Sequence, residues 1–314
     1  MNAPGPTVDW RASIGNALAA PRPLAEDVTL VIPTLGRPIL ADCLGAVLAG
    51  NAWPGAIIVV DQGASSLVEA WLGDLCELGI DARYVSCQGR GRARGLNAGL
   101  RLVRTPFVAI TDDDCIPDAG WITGYARRLR ADPGTVFTGR VEAGGEERVL
   151  HTVTGDESLT RRRPGLYFDR LSGGNCGMAI AVLRRVGLFD DDPCMRFAED
   201  GEWAYRALRA GVPITFAPEL AVTHVGWRVL EGRLEQYHDY ARSHGAFLGK
   251  HLRRGDAFIV LRSAALWARA MGRWLRGLRR HDPELAANGR SYAMQLFPGI
   301  IRGMKSRQGP PSLP

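Results

Sequence analysis

The chain has 314 residues, 46% of them hydrophobic and 23% charged. That composition is ordinary for a globular protein of one large or two small domains, and it excludes collagen-like, disordered and disulfide-scaffold classes. The net charge is +6, but residues 240–281 carry ten basic side chains against Asp256 alone, which leaves −3 for the rest. This argues against a uniformly basic nucleic-acid binder and leaves room for a local anionic partner of the C-terminal part.

The six cysteines form no CxxC pair and no Cys/His cluster with zinc spacing, the pattern of reduced thiols in a cytoplasmic protein. The N-terminal stretch has no apolar h-region, so no secretory signal is expected, and residues 1–26 read as a loose Ala/Pro/Gly-rich leader. No uninterrupted apolar run reaches the roughly 18 residues of a transmembrane helix.

From residue 28 a regular alternation sets in. Short apolar runs at Val28–Pro33, Ala56–Asp61, Ala82–Ser86 and Phe107–Thr111 predict buried strands. Helical spacing follows each of them, at Pro38–Ala49, Ser65–Leu78, Arg92–Val103 and Asp118–Arg130. Fully apolar strands alternating with helices predict an α/β fold, a mostly parallel sheet with helices on both faces. Residues 140–172 are polar, Gly-rich and Arg-rich, the pattern of a long functional loop. Within them Arg161–Arg163 reads either as an exposed charge run or as a grip for an acceptor phosphate. Helices are predicted at Ala179–Val186 and Glu199–Ala210, and short strands at Ile214–Ala217 and Leu220–Thr223. After His224 the chain reads as mainly helical to about 303, with a disordered tail at 304–314.

Ligands of open α/β sheets bind beyond the carboxyl ends of the strands. Those ends carry Thr34, Asp61 and the run Asp112-Asp113-Asp114. A lone Asp after a strand often caps the next helix. Three in a row are a different matter. At about 4 Å and an effective dielectric near 20, each close pair costs roughly 4 kcal/mol, so such a cluster is fully solvated or holds a cation. Strand alternation sends Asp112 and Asp114 roughly the same way, and hard oxygen ligands with open positions suit Mg²⁺ or Mn²⁺ on a diphosphate. Glu199 and Asp200 open a helix, where acids are favoured as caps, and an ionised Asp there can also take a proton from a hydroxyl. His224 follows a short strand and is a plausible further ligand. Gly89-Arg-Gly91-Arg-Ala-Arg-Gly95 has GxGxxxG spacing rather than the dinucleotide GxGxxG, and GAFLGKH at 245–251 falls short of a P-loop.

At these residues the chain resembles family 2 glycosyltransferases of the GT-A fold. VIPTLGRPILADCLGAVL, VVDQGASS, GRGRARGLNAGL, VAITDDDCIPDAGWI, SGGNCGMAIAVLRRVGLFDDD and FAEDGEWAYRALRAGVPITFAPELAVTHVG occur in the family's order, over about 200 of the 314 residues. The resemblance implies a GT-A catalytic domain at 27–226, followed by a helical extension at 227–303. It implies a hexosyltransferase-type enzyme that takes a UDP-, GDP- or dTDP-sugar with Mn²⁺ or Mg²⁺ and inverts the anomeric centre. The donor nucleotide would lie on Pro33, Thr34, Asp61, Arg94, Asn97, Asp112 and Asp113. The metal would lie on Asp114, Asp112 and His224, with Asp112 and Asp114 as a DxD pair. Asp200 would be the general base with Glu199 as its acidic neighbour, and Gly174 and Asn175 would line the acceptor side.

Two departures stand out: Gln62-Gly63-Ala64 follows Asp61, and Leu35-Gly36 replaces an aromatic-Asn pair. The QxxRW signature of processive synthases is absent after His224, which favours addition of one or a few sugars to a glycan or lipid-linked acceptor in cell-envelope biosynthesis. The alternatives are a nucleotidyltransferase of related fold and a non-catalytic sugar-nucleotide-binding protein.

Residues 256–280 form one more pattern. On a helix at about 100° per residue, Arg262, Arg269, Arg273, Arg276 and Arg280 share a stripe. Val260, Ala264, Trp267, Met271, Trp274, Leu275 and Leu278 lie opposite. Either the apolar face packs on the catalytic domain with the arginines in water, or the helix lies on the cytoplasmic face of an anionic membrane.

Overall fold

The computed structural model describes residues 8–144, 153–167, 169, 171–225 and 233–313. The described residues open with α1 (Trp10–Ala19), inside the stretch 1–26 expected as a loose leader, whose residues 1–7 lie outside the described residues. The Asp9 carboxylate caps it, accepting from the Arg11 and Ala12 amides at 3.0 and 3.2 Å. Trp10 anchors it, donating from Nε1 to Asp74 at 2.7 Å. A decapeptide whose one buried residue is Ala17 carries almost no periodicity, which is why this helix was not predicted.

Then come β1 (Leu24–Thr34), α2 (Leu40–Ala49), β2 (Trp53–Asp61), α3 (Ser66–Glu77), β3 (Asp81–Ser86), α4 (Arg92–Leu100) and β4 (Phe107–Thr111). Each lies within a few residues of its predicted place. The chain continues through β5 (Cys115–Pro117), α5 (Trp121–Ala131), β6 (Val136–Gly144), β7 (Leu159–Arg161), β8 (Asn175–Ala179), α6 (Ile180–Val186), α7 (Glu199–Arg209) and β9 (Ile214–Val225). Strands β5 to β8 were not predicted. The stretch 140–172 contains the end of β6 and all of β7, and its residues 145–152, 168 and 170 lie outside the described residues.

The strands form one sheet in the order β3-β2-β1-β4-β8-β6-β9-β5, with β7 beside β9. Six of them (β1 to β4, β6 and β9) run one way, and β5, β7 and β8 run against them. Helices cover both faces. Val31 of β1 points at α4, where a Cβ on Gly99 would come within 2.8 Å of it, so only glycine lets α4 lie this close. One register position away, Leu30 pairs with Ala109 and that with Gly177, which faces the Tyr125 ring of α5. Burial on both faces is why these strands read as continuous apolar runs.

The two short strands expected at 214–223 are one strand interrupted by a bulge. Pairing of β6 with β9 jumps from Gly139–Ala217 to Val141–Val222. The jump frees the carbonyls of Arg140 and Leu220, and Asn175 collects both, donating from Nδ2 at 2.9 and 2.7 Å.

Three long helices follow: α8 (Arg233–Arg253), α9 (Phe258–Arg280) and α10 (Pro283–Lys305). Residues 226–232, where the catalytic domain was expected to end and the extension to begin, lie outside the described residues. The near-P-loop glycines have a packing role instead. Any Cβ on Gly245 or Gly249 of α8 would strike the Leu296 or Ile300 carbonyl of α10, at 2.2 and 2.0 Å. Of the tail expected to be disordered at 304–314, residues 304–313 are described: the Leu188 amide donates to the Pro311 carbonyl at 2.9 Å, and Gln308 donates to Asp191 at 2.8 Å.

Buried ion pairs fasten these helices to the α/β part. Lys250, 2% exposed, lies 2.6 Å from Asp190 and 2.9 Å from Asp192. His251 lies 3.0 Å from Glu202 of α7, and Arg262 lies 2.8 Å from Asp169. Removing one partner of such a group leaves an uncompensated charge, at a cost of about 3–5 kcal/mol. Lys250→Met should therefore destabilise the protein by about that much in urea unfolding. The exposed Lys305→Met should stay within about 0.5 kcal/mol of wild type.

Candidate active site

The chain order reverses at β1: β2 and β3 lie on one side of it, β4 on the other. The crevice beyond the carboxyl ends of β1 and β4 is therefore a topological switch point. Thr34 stands at the end of β1, and Asp112–Asp114 follow β4.

The three aspartates do not face one way. The Cys115 amide donates to the Asp112 carbonyl at 3.1 Å, closing a turn directly after β4, so strand alternation ends at Thr111. Asp113 turns inward, taking the Thr34 hydroxyl at 2.5 Å and the fork of Arg37, whose Nε lies 3.0 Å away. Arg37 also reaches Asp114 at 2.9 Å. Asp112 turns the other way and accepts from Arg92 at 2.7 Å. The cation that the run needs is thus supplied twice by guanidinium. Burial works against the Arg37 charge, but Asp113 and Asp114 outweigh it and hold the group protonated.

Asp114 belongs to a second group. Strand β5 pairs antiparallel with β9, placing Cys115 opposite His224. Asp114 Oδ1 then lies 3.4 Å from His224 Nε2, and the Asp114, Cys115 and His224 donor atoms fall within 4.8 Å of one another. Burial, and after it the charges of Asp112 and Asp114, push the Cys115 thiol far above its usual range, so no thiolate is offered. A carboxylate and an imidazole remain, a pair that can hold a divalent ion. The His224 Nδ1 is buried without a hydrogen-bond partner. Asp112, expected as a ligand, is outside this group because the turn aims it at Arg92.

Across the crevice α7 begins with Glu199 and Asp200. Glu199 is 5% exposed, and burial, then the charge of Asp200, push its carboxyl well above the ordinary range. Asp200 is half-buried and accepts from the Gly201 amide at 2.7 Å. Arg92 Nη1 lies 3.7 Å from Glu199. One guanidinium therefore spans Asp112 and Glu199. Beneath it run Gly173 and Gly174, where a Cβ would come within 2.7 Å of Arg92 Nη1 and of Asp112 Oδ2 respectively.

A family model described as glycosyl transferase family 2 matches residues 29–188, half of the chain. The chain belongs to glycosyl transferase family 2. It is 25% identical to a chondroitin synthase of Escherichia coli over 60% of its own length and 33% of the relative's. It is 24% identical to a hyaluronan synthase of Pasteurella multocida over 59% and 23%. It thus spans a third or less of these curated relatives. Among solved structures, the mannosyltransferase PcManGT of Pyrobaculum calidifontis, in complex with GDP-Man and Mn²⁺, superposes with a TM-score of 0.58 at 17% identity, over 95% of this chain and 94% of that one. S. aureus TarS 1-349 gives 0.54 at 12% identity, over 85% and 90%. The fold is that of the GT-A glycosyltransferases.

Within this family 2 chain, several residues expected to face the donor are structural ties. Asn97 is wholly buried, and both ends of its amide bond the Phe189 backbone, at 2.8 and 3.0 Å. Asn175, expected on the acceptor side, is likewise saturated: its Oδ1 accepts from Trp121 and Tyr125 at 2.9 and 2.7 Å, and its Nδ2 holds the β6–β9 bulge. Asp61 is buried, accepting from the Gly63 and Ser65 amides, both at 2.6 Å, and from the Tyr84 hydroxyl at 3.2 Å. Pro33 is buried under Gly95, and the exposed Arg94 lies against Gly89. Arg161–Arg163 begins at the Ile214 end of β9, about 30 Å along the strand from His224, too far to serve this crevice. Sequence reading missed Arg37 and Arg92. Arg92 stands two residues before Arg94 on the same helix, and a rotation of about 200° separates the wall of the site from solvent.

The raised carboxyl of Glu199 has a consequence for stability. A carboxyl that holds its proton more tightly when folded contributes less stability as pH rises past its ordinary value of 4.5. Glu199→Gln removes that loss. Its melting temperature should match wild type near pH 4.5 and exceed it at pH 8; parallel curves at both pH values would show that burial does not raise this group.

Proposed function

We propose that this family 2 protein transfers a sugar from a nucleoside-diphosphate sugar to an acceptor hydroxyl with inversion, aided by a divalent ion. The observation that carries the reading is Arg92, whose single guanidinium contacts Asp112 on the donor side and Glu199 on the α7 side. Donor carboxylates and the acid pair therefore share one crevice wall. The chondroitin and hyaluronan synthases and the GDP-Man and Mn²⁺ of the mannosyltransferase structure support the same chemistry.

Asp114 and His224 are the residues that would hold Mn²⁺ or Mg²⁺. When bound, the ion supplies charge stabilisation to a departing nucleoside diphosphate. The nucleotide of a UDP-, GDP- or dTDP-sugar lies over Thr34 and the loop that Asp61 organises. Asp200 accepts the acceptor's proton as its oxygen forms the new bond to the anomeric carbon and the bond from that carbon to the diphosphate oxygen breaks. Glu199, Arg92 and the Gly173-Gly174 floor fix where Asp200 stands. The absence of a QxxRW segment supports transfer of one or a few sugars. The basic C-terminal helices support a lipid-linked or glycan acceptor held at the inner face of the plasma membrane.

Incubation with UDP-, GDP- and dTDP-sugars and Mn²⁺ tests the reading: free nucleoside diphosphate should appear with donors of one base. No release with any donor would refute it. Asp114→Ala should abolish Mn²⁺-dependent turnover while folding persists, since it relieves like-charge repulsion in the crevice. Asp200→Asn should slow transfer by about 10² to 10⁴ with donor affinity kept. If donor affinity falls equally, Asp200 is a helix cap and not the base.

A further inference from the structure

The orientation of α9 inverts one of the two readings its sequence allowed. Its arginine stripe turns partly inward. Arg262 is 1% exposed, bonded to Asp169 and stacked over the Tyr205 and Phe247 rings at 5.2 and 5.3 Å. Arg273 is half-buried over the Tyr292 ring at 5.1 Å. The apolar stripe turns outward instead: Val260, Leu275 and Leu278 are 60%, 50% and 57% exposed.

Helix α10 presents a matching stripe. Phe297 and Ile301 are 53% and 55% exposed, and Phe297 meets Trp267 of α9 edge-on, with ring centroids 6.4 Å apart. That contact joins the two stripes into one apolar face. Single exposed hydrophobics are normal, but a contiguous two-helix face marks an interaction surface.

The charge around the face selects its partner. From residue 257 to the end the sequence carries ten Lys and Arg against Asp282 and Glu284. Glu284 accepts from the Tyr237 hydroxyl and Asp282 caps α10. Arg279 lies one turn beyond Leu275, Lys305 one turn beyond Ile301, and Arg290 two turns before Phe297, all three exposed. A second copy of the chain is a poor occupant, because a two-fold contact would set this basic rim against itself. A spanning arrangement is also out, since among the described residues no helix is long and apolar enough to cross a membrane.

We propose that the α9–α10 face docks the protein on an anionic lipid bilayer, with Val260, Trp267, Leu278, Phe297 and Ile301 in the acyl boundary and Arg279, Arg290 and Lys305 on the headgroups. The inference extends the reading of a membrane-held acceptor and names the surface that would meet it.

The test is flotation of the full chain with phosphatidylcholine vesicles, with and without phosphatidylglycerol. Wild type should bind the phosphatidylglycerol vesicles at least about tenfold better. Leu278→Glu with Ile301→Glu, and separately Arg279→Glu with Lys305→Glu, should each weaken that binding about tenfold or more. These positions are exposed, so melting temperatures should not change. No binding by wild type, or undiminished binding by either variant, overturns the proposal. So does a wild-type dimer that the Glu pair on the apolar face splits without any vesicle binding. Thermal shift with UDP, GDP or dTDP and Mn²⁺, run on the same samples, separates the two readings. A wild type that binds nucleotide but not vesicles refutes only the docking face; one that floats but binds no nucleotide refutes the transferase.

Discussion

Carboxylates crowded at one end of a sheet repel one another, and the arrangement of this site follows from how that repulsion is relieved. Asp112, Asp113, Asp114, Glu199 and Asp200 all approach the crevice beyond β1 and β4. Two guanidiniums divide them. Arg37 takes Asp113 and one oxygen of Asp114, and Arg92 takes Asp112 and approaches Glu199. The division leaves Asp114 with an oxygen facing His224, and it leaves Glu199 buried with one oxygen unpaired. Two guanidiniums against five carboxyl groups leave the crevice with an excess of acid. The Asp114 oxygen that faces His224 is not the one that Arg37 occupies.

The parts of the molecule governed by burial on both faces were legible in the sequence. Strands β1 to β4 and their helices announce themselves because every side chain of a central parallel strand is apolar. Strands β5 to β8 do not. Two of them are three residues long, and β8 lies within a GGN segment whose Asn175 reads as polar and accessible. Its burial follows from a bulge 35 to 45 residues away along the chain, not from any local pattern, and Asn97 against Phe189 is a similar case at 92 residues. The carboxylates themselves were visible by position at strand ends. Their directions were not, because one turn bond from Cys115 to Asp112 replaces strand alternation.

The two arginines show a related limit. Sequence reading chose Arg94 of the Gly-rich stretch for the donor and passed over Arg92, which the structure places in the site. Arg94 and Arg92 differ only in helical phase, and the phase of a helix as short as α4 is fixed by Gly99 on Val31, a tertiary contact. Arg262 makes the same point at larger scale. The helical period correctly grouped it with Arg269 and Arg273. Which side of the helix met the protein was decided by Asp169, a buried carboxylate 93 residues earlier.

That choice links the C-terminal helices to the crevice. Lys250 and His251 of α8 hold Asp190, Asp192 and Glu202, and Glu202 stands on α7 three residues after Glu199. Burial opposes the Glu202 charge, yet Arg206 and His251 outweigh it and bring its carboxyl down to about 2. The α7 helix is therefore anchored one turn beyond Glu199 by a buried carboxylate that stays ionised at neutral pH. Arg262 ties α9 to Asp169 in the same manner. Because the Lys250 and Arg262 ties are buried charge pairs, sliding these helices would strand a charge in a low-dielectric interior, a cost of several kcal/mol. The outward apolar face of α9 and α10 and the acid pair of α7 thus keep a fixed orientation to each other. A surface that met this face would meet the crevice at one angle only.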